Sequence, residues 1–510
     1  MGRPAMSGRE VYAIHAACIR GVEAFPVTVE VSMAEGIPGI TIVGMPDSTV
    51  LEARSRIRCA LRSTSFEIPR KSITVNLSPS DIKKTGSSLD LPIAVAILAL
   101  SKQIPREGLE GSLFLGEIAL DGSVLATRGE VPYQILAREM GLDLVGGEMG
   151  EAVSLPNVNR YYVQSISAFR GGKDSWAALR VQPQFRQRTP AVSLDYADVV
   201  GQEIAKRGMV IAAAGEHGLM MIGTPGAGKS MLAQRLCGIL PPIDDAELLE
   251  ALSIHSVIGE PLEDLLCGRR PFRRPHHSLS AAGLLGGNRP VRPGEASLAH
   301  GGVLFFEEMG EWPSHVLQML RQPIEEGVVR IIRADGSYLF PARFQLLAAS
   351  NPCPCGYLGD PEVECRCTPA AVERYQAKLS GPLADRIDIS ISVMRPSAEL
   401  IVQGSEGMST AEMQAQVLEA REFRSARIRR AFRSFAPDAS TSAEASIRTL
   451  EFNEDGQSTL LAYSKRNLLT ARGIVRLARV ARTVADLSHS ASVTSEHVLE
   501  AAMFQGRARA

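Results

Sequence analysis

The chain has 510 residues, a formal net charge of −1, 45% hydrophobic and 22% charged residues, the composition of a soluble globular protein of about two to four domains, with no global positive field to announce a nucleic-acid partner. Its longest apolar run, Leu89–Leu100, falls short of the ~20 residues that span a bilayer, and no basic stretch followed by an apolar core reads as a secretory leader. A cytoplasmic protein without a membrane partner is expected, and its eight cysteines do not suggest a disulfide scaffold in so long a chain.

Residues 1–170 alternate strands and helices. Val27–Val31, Ile40–Val43 and Ile73–Leu77 read as strands, and Leu89–Ser101 as a buried helix. Residues 171–193, with Gly171, Gly172, Pro183 and Pro190 among Arg and Gln, read as a linker. A second domain spans 194–396. Residues 397–510 are helical in texture, with Ala/Glu/Arg-rich stretches at 410–433 and 470–487.

The second domain opens on an apolar run, Leu219–Ile222, followed by Gly223-Thr224-Pro225-Gly226-Ala227-Gly228-Lys229-Ser230 and a helical stretch to Leu240. This is the strand, glycine-rich loop and helix of a phosphate-binding loop. Backbone N–H groups close around a polyphosphate, Lys229 reaches the β- and γ-phosphates of ATP, and Ser230 offers its hydroxyl to Mg²⁺. The helix N-terminus adds a favourable dipole.

Such a site needs acids on a second strand. Val303–Phe306 is that strand, and Glu307 and Glu308 follow it. The first acid ordinarily holds the Mg²⁺ shell and the second orients the attacking water. A Glu at the first position places its carboxylate one methylene further out, and Mg²⁺ tolerates poor geometry badly. Phe344–Ala349 is another strand, and Asn351 just beyond it is placed to bond the γ-phosphate or the lytic water; an Asn-Pro turn with Pro352 competes with that role. Arg386 precedes the apolar alternation Ile387–Ile391. It is either a surface charge or, in a ring ATPase, an arginine finger.

Two further features carry chemistry. Cys353, Cys355, Cys365 and Cys367 form C-x-C-x₉-C-x-C, and four thiolates suit tetrahedral Zn²⁺ although the spacing is tighter than the usual C-x₂-C; the alternative is free thiols. Cys18, Cys59, Cys237 and Cys267 are isolated. From Gly268 to Arg292 the chain is rich in Gly and Pro, holds Arg269, Arg270, Arg273, Arg274, Arg289 and Arg292, and has no acid before Glu295. It reads as a loop that is either solvated or, in a ring ATPase, a place where arginines contact DNA phosphates without reading sequence. Val328–Phe340 reads as a hairpin with an Asp335-Gly336 turn, offering Arg330 and Arg333. The Arg421–Arg433 stretch reads as a solvated helix.

The set Asp198-Val-Val-Gly-Gln202, the phosphate loop, Arg273-Arg-Pro-His-His277, Arg292-Pro-Gly-Glu295, Ser297-Leu-Ala-His300, Asn351-Pro-Cys-Pro-Cys-Gly356, Gly381-Pro with Asp385-Arg-Ile-Asp388, and Ala471-Arg472 with Ala481-Arg-Thr-Val-Ala-Asp486 resembles the ComM/YifB family of magnesium-chelatase-like AAA+ ATPases over nearly the whole chain. The resemblance implies an α/β fold in three parts: a Lon-protease-like (ribosomal-S5-like) domain, an AAA+ core with a parallel sheet, and a helical lid. It implies Gln202 beside the nucleotide, Asn351 as first sensor, Arg386 as a finger acting in the neighbouring subunit, and Arg472 as the lid's second sensor. It also places the arginine stretch in an insertion facing the pore of a homo-oligomeric, hexameric ring. Two departures stand out: Glu307 in place of Asp, and Met309-Gly-Glu-Trp312 in place of Leu-Pro-Glu-Phe.

In the Lon-like part, Ser88 falls at the nucleophile position, but Val131 stands where the partner lysine belongs, and no lysine occurs between Lys102 and Lys173. A protease is therefore not expected. Three functions remain: a DNA translocase driving branch migration in recombination or natural transformation, a chelatase motor, and a non-catalytic ATP-binding assembly protein.

Overall fold

The computed structural model describes residues 10–148, 153–178, 194–379, 383, 386–403, 407–434 and 447–505. Most of the expected linker, residues 179–193, and Gly381, Pro382, Ala384 and Asp385 lie outside them. The chain divides into two compact units. The first contains the N-terminal residues together with Leu249–Cys267 and Arg330–Phe340, and the second contains the rest. Neither inserted segment was anticipated in the sequence, because membership of a unit is decided by long-range packing.

The first unit is built on an eight-stranded mixed sheet. Its strands are β1 (Val11–Arg20), β2 (Glu23–Ala34), β3 (Gly39–Val43), β4 (Ser72–Ser78), β5 (Ser112–Phe114), β6 (Asp143–Gly146), β7 (Arg160–Tyr162) and β8 (Ala177–Ala178), in spatial order β8-β7-β6-β5-β1-β2-β4-β3. Alternate residues of β2 and β4 are buried, as a one-sided sheet requires. Helix α1 (Ser48–Ser63) starts at Asp47, which accepts the Val50 N–H at 2.9 Å. Helix α2 (Asp90–Leu100) is apolar all round and buried on every residue. Its one charge, Asp90, is met by Arg56 of α1 at 2.6 and 2.9 Å.

Helix α3 is Glu130–Met140. Ser88 is buried, donates to the Ala17 carbonyl at 3.2 Å and bonds the Tyr133 side chain, and Val131 is fully buried. Residues 171–178, expected as linker, instead finish this unit: β8 pairs with β7, and Trp176 packs edge-on against Phe114 and Phe169. The Val328–Arg333/Gly336–Pro341 hairpin forms as expected. Its turn is held by Arg20, which donates to Asp335 O at 3.0 Å and lies over the Tyr338 ring. Gly336 suits the turn because its φ of +130° is one that other residues rarely adopt.

The second unit holds a five-stranded, all-parallel sheet. Helix α4 (Glu203–Gly215) leads into β9 (Leu219–Gly223), which is followed by α5 (Lys229–Ile239), β10 (Phe272–Arg273), β11 (Val303–Phe306), β12 (Gln345–Ser350), α6 (Pro369–Leu379) and β13 (Ile389–Val393). The spatial order is β10-β11-β12-β9-β13. Covered on both faces, the inner strands β9, β11 and β12 read as nearly unbroken apolar runs; all four residues of β11 are buried, while the edge strand β13 alternates. Strand β9, next to the edge, lies between β12 and β13, where chain order reverses, and an open α/β sheet has its ligand crevice at such a point.

The stretch around Arg273 is therefore not all loop. Phe272–Arg273 is the edge strand of the core sheet, paired with Val303–Leu304. The true excursion comes later, as the short helix Ala281–Leu285 and the hairpin of Gly286–Gly287 with Arg292–Pro293.

C-terminal helices α7 (Thr410–Ser434), α8 (Glu454–Arg466), α9 (Ala471–Leu487) and α10 (Ser495–Met503) complete the unit. In α9 the fully buried Leu477, Val480, Ala481 and Val484 form the i, i+3, i+4, i+7 stripe of an amphipathic helix. The lid is tied to the sheet by buried His217, whose Nδ1 lies 2.8 Å from Asp388 Oδ2 and whose Nε2 lies 2.8 Å from Thr483 Oγ1 of α9. No helix among the described residues is long and apolar enough to cross a membrane.

Candidate nucleotide site

The phosphate loop leaves the C-terminal end of β9. Gly223 is pressed against β13, where a Cβ would fall 2.0 Å from the Val393 carbonyl. Gly226 and Gly228 are left-handed, at φ +79° and +94°, with open space where a Cβ would stand. That combination leaves a concavity of backbone N–H groups at the start of α5. Lys229 Nζ donates to Gly223 O at 2.6 Å, Thr224 O at 2.9 Å and Asn351 Oδ1 at 3.2 Å. Burial lowers its pKa, while Glu307 and Glu308 oppose that shift.

Ser230 Oγ donates to Glu307, whose other carboxylate oxygen pairs with Arg274. The longer acid thus reaches the serine hydroxyl directly. Glu308 is exposed, sits in a left-handed conformation at φ 51°, and has His277 at 3.9 Å. The Met309–Trp312 departure belongs to the same local structure. Trp312, buried against Phe306, donates its indole N–H to Glu307 O at 3.2 Å. Gly310 packs so tightly on Tyr375 that a Cβ would lie 2.4 Å from the phenol oxygen. Tyr375 in turn lies 3.1 Å from Ser350, the residue before Asn351.

Gln202 is left-handed at the N-cap of α4, and its amide donates to Ala227 O at 3.3 Å and to Met394 O. It braces the loop from outside. A cavity of about 430 Å³ opens beside the loop, lined among others by Thr224, Asp360, Glu362, Val393 and Arg395. Arg386 pairs with Glu325, its Nε is buried without a hydrogen-bond partner, and Arg472 and Arg321 lie near enough to lower its pKa together with burial.

The six arginines expected to contact DNA separate. Arg270 is an internal brace: it donates to Pro241 O at 2.6 Å, Pro242 O at 3.2 Å and Gly301 O, and pairs with Glu247 at 3.0 Å. Arg273 is held bidentately by Glu295 at 2.7 and 2.8 Å, and Arg274 joins the nucleotide site. Arg269 is exposed. Arg330 and Arg333 are exposed, but an odd spacing along a strand points them to opposite faces. Arg289 and Arg292 are exposed in the short hairpin region. Arg274, Trp312 and Arg321 are the site residues that motif reading missed; the one available signal was the Arg273–His277 motif itself.

Cys353, Cys355, Cys365 and Cys367 converge, with all four sulfurs within 4.8 Å of one another. The remaining cysteines are separate: Cys18 is buried in the first unit, with burial pushing its thiol up to about 11, Cys59 is exposed, and Cys237 is pushed by burial up to about 12.

A five-stranded parallel sheet with a phosphate loop on an interior strand, a polar sensor after the strand beside it and acids after the next defines an AAA-type P-loop ATPase, for which ATP and Mg²⁺ are the implied ligands. Three family models agree: "Magnesium chelatase, subunit ChlI" matches residues 195–401, "Subunit ChlI of Mg-chelatase" residues 29–145, and "Magnesium chelatase, subunit ChlI C-terminal" residues 407–505. The chain is 38% identical to uncharacterized protein YifB of Salmonella typhimurium over 503 residues and to competence protein ComM of Haemophilus influenzae over 498, covering 96% of each chain in both cases. A magnesium-chelatase subunit ChlI of Euglena gracilis is 27% identical over 31% of this chain and 52% of its own length. The chain belongs to the ComM/YifB family of magnesium-chelatase-like AAA+ ATPases.

Proposed function

We propose that this chain is one subunit of a homo-oligomeric, hexameric ATPase ring that moves branched DNA, driving branch migration in recombination or natural transformation. The observation that carries the motor reading is the convergence of Lys229, Ser230, Glu307 and Asn351 at the C-terminal edge of the sheet. In this reading Lys229 and the loop amides hold the polyphosphate, Ser230 and Glu307 place Mg²⁺, Glu308 orients the lytic water, and Asn351 reports the γ-phosphate. Arg274 occupies Glu307 until the metal takes its place.

The arginine cluster supports a ring. Arg321, Arg386 and Arg472 gather around one buried, unpartnered donor. Arg386 pairs here with Glu325; in a ring, a neighbouring subunit's triphosphate would compete for it, with Arg386 as finger and Arg472 as second sensor. For DNA the support is the full-length similarity to a relative named as a competence protein. Arg289 and Arg292 near the exposed hairpin, with Arg330 and Arg333, are exposed side chains placed to meet phosphates. The chelatase reading draws on the family models' descriptions, but the similarity to chelatase subunits reaches only about a third of the chain.

The test is strand exchange on a synthetic four-way junction with and without ATP. ATP-dependent movement that disappears in Lys229→Ala supports the motor. Movement at the parent rate in that variant overturns it.

A further inference from the structure

We propose that Cys353, Cys355, Cys365 and Cys367 hold one Zn²⁺ ion, and that this ion locks a loop against the phosphate loop and Asn351, so that metal occupancy sets nucleotide affinity. Tetrahedral Zn–S bonds of about 2.3 Å put the sulfurs about 3.8 Å apart. The pairs among Cys353, Cys355 and Cys365 are 3.4, 3.6 and 3.7 Å. The Cys367 sulfur lies within 4.8 Å of each of them, so four ligands can share one centre.

The backbone is arranged for thiolates as well. The Cys355 N–H points at Cys367 Sγ at 3.4 Å, and the Cys367 N–H bonds Cys365. The Tyr357 and Arg366 N–H groups bond Cys355. Repeated N–H···S bonds stabilise negative sulfur, which a dry cluster of neutral thiols does not need. Four protein ligands leave no open position, so the site is structural rather than catalytic.

The nine residues between the two cysteine pairs explain what the ion would do. Gly356 abuts Pro225 of the phosphate loop and Asn351: a Cβ there would lie 2.8 Å from the Pro225 ring and 3.7 Å from the Asn351 amide. Asp360 and Glu362 line the cavity beside Thr224. Arg395 ties the two together, pairing with Glu362 at 3.5 Å and donating to Pro225 O at 3.2 Å. Short turns, the packing of Gly356 on Pro225 and the Arg395–Glu362 pair are what hold this loop otherwise. With one, Pro225 and Asn351 gain a fixed neighbour.

The link to ATP rests on the nucleotide-site reading; the metal does not. Full-length protein purified without chelator and under reducing conditions should carry roughly one zinc per chain by mass spectrometry of its metals. Protein refilled with cobalt should show the visible bands of tetrahedral thiolate Co²⁺, a reading that needs no variant. Cys365→Ser/Cys367→Ser should lose at least about tenfold in zinc content, and Cys365→His should retain it. ATP affinity of the serine variant, with its helical circular dichroism intact, should fall about three- to tenfold, the scale of one lost contact. Absence of both zinc and the cobalt bands overturns the metal site. Zinc present, but ATP affinity unchanged on its removal, overturns the coupling. Failure of the zinc-loaded parent to bind ATP refutes the nucleotide site and leaves the metal readings standing.

Discussion

His217 offers the sharpest test of how the lid is fastened. Its ring is buried, with Asp388 at 2.8 Å on one side and Thr483 at 2.8 Å on the other. His217→Ala removes both contacts and leaves a carboxylate and a hydroxyl with little access to water. Losing a hydrogen bond to a charged group costs about 1.5–3 kcal/mol, while Thr483 keeps its donation to the Arg479 carbonyl at 3.2 Å. Arg476 and Arg479 still lie near Asp388 and soften the loss, so about 2 kcal/mol is expected. For a unit of this size that lowers the melting temperature by roughly 4–8 °C, read by circular dichroism. Hydrolysis should fall as well, because Asp388 is two residues from Arg386 and Thr483 lies on the helix that carries Arg472. The network also sets an acid limit. Despite its burial, Asp388 titrates below its ordinary 3.8, chiefly through His217. Its contribution is therefore complete at neutral pH and is lost only as pH falls through that lowered value. A variant melting within about 1 °C of the parent would refute the reasoning.

Glu307→Asp withdraws the carboxylate from Ser230 and Arg274; hydrolysis should then need less Mg²⁺ or run faster, and an unchanged Mg²⁺ titration counts against a compromised metal shell. Arg386→Ala should bind ATP with near-parent affinity and hydrolyse at least about tenfold more slowly, and mixing it with Lys229→Ala subunits should restore part of the rate; full hydrolysis by Arg386→Ala alone excludes the finger role. Arg270→Ala should destabilise the protein by about 3 kcal/mol through Glu247 and the freed carbonyls without altering the salt dependence of DNA binding. Arg289→Ala/Arg292→Ala should instead reduce the slope of log K against log salt by about 2, measured by fluorescence anisotropy, and an equal slope rules out those contacts.

Where chemistry is written in consecutive residues, the sequence was read well. The phosphate loop, Val303–Phe306 with its acids, and the lid helices are local signals, and their strands and helices lie within a residue or two of expectation. The misreadings have one physical origin: partners that are distant in sequence. Arg270 reads as surface charge because Glu247 and the carbonyls of Pro241 and Gly301 come from other segments, and Arg273 because Glu295 lies 22 residues on. Phe272–Arg273 carries no strand signal in two residues flanked by Arg and Pro; it is a strand only because Val303–Leu304 lies beside it. Residues 330–340 were read with the ATPase core because they adjoin it in sequence, whereas Arg20 holds their turn.

The five residues of β13 give the ring a mechanical possibility. At ~3.3 Å per residue the strand is about 17 Å long, a stiff rod hydrogen-bonded along its length to β9. One end touches the subunit's own phosphate loop, backbone against backbone at Gly223 and Val393. The other end begins three residues after Arg386. If Arg386 serves the adjacent nucleotide, one strand spans two fuel sites. A displacement of Gly223 at one site would then pass along the strand and through Ile387 and Asp388 to the finger at the next. Firing order around the ring would then be dictated by a push rod within each subunit.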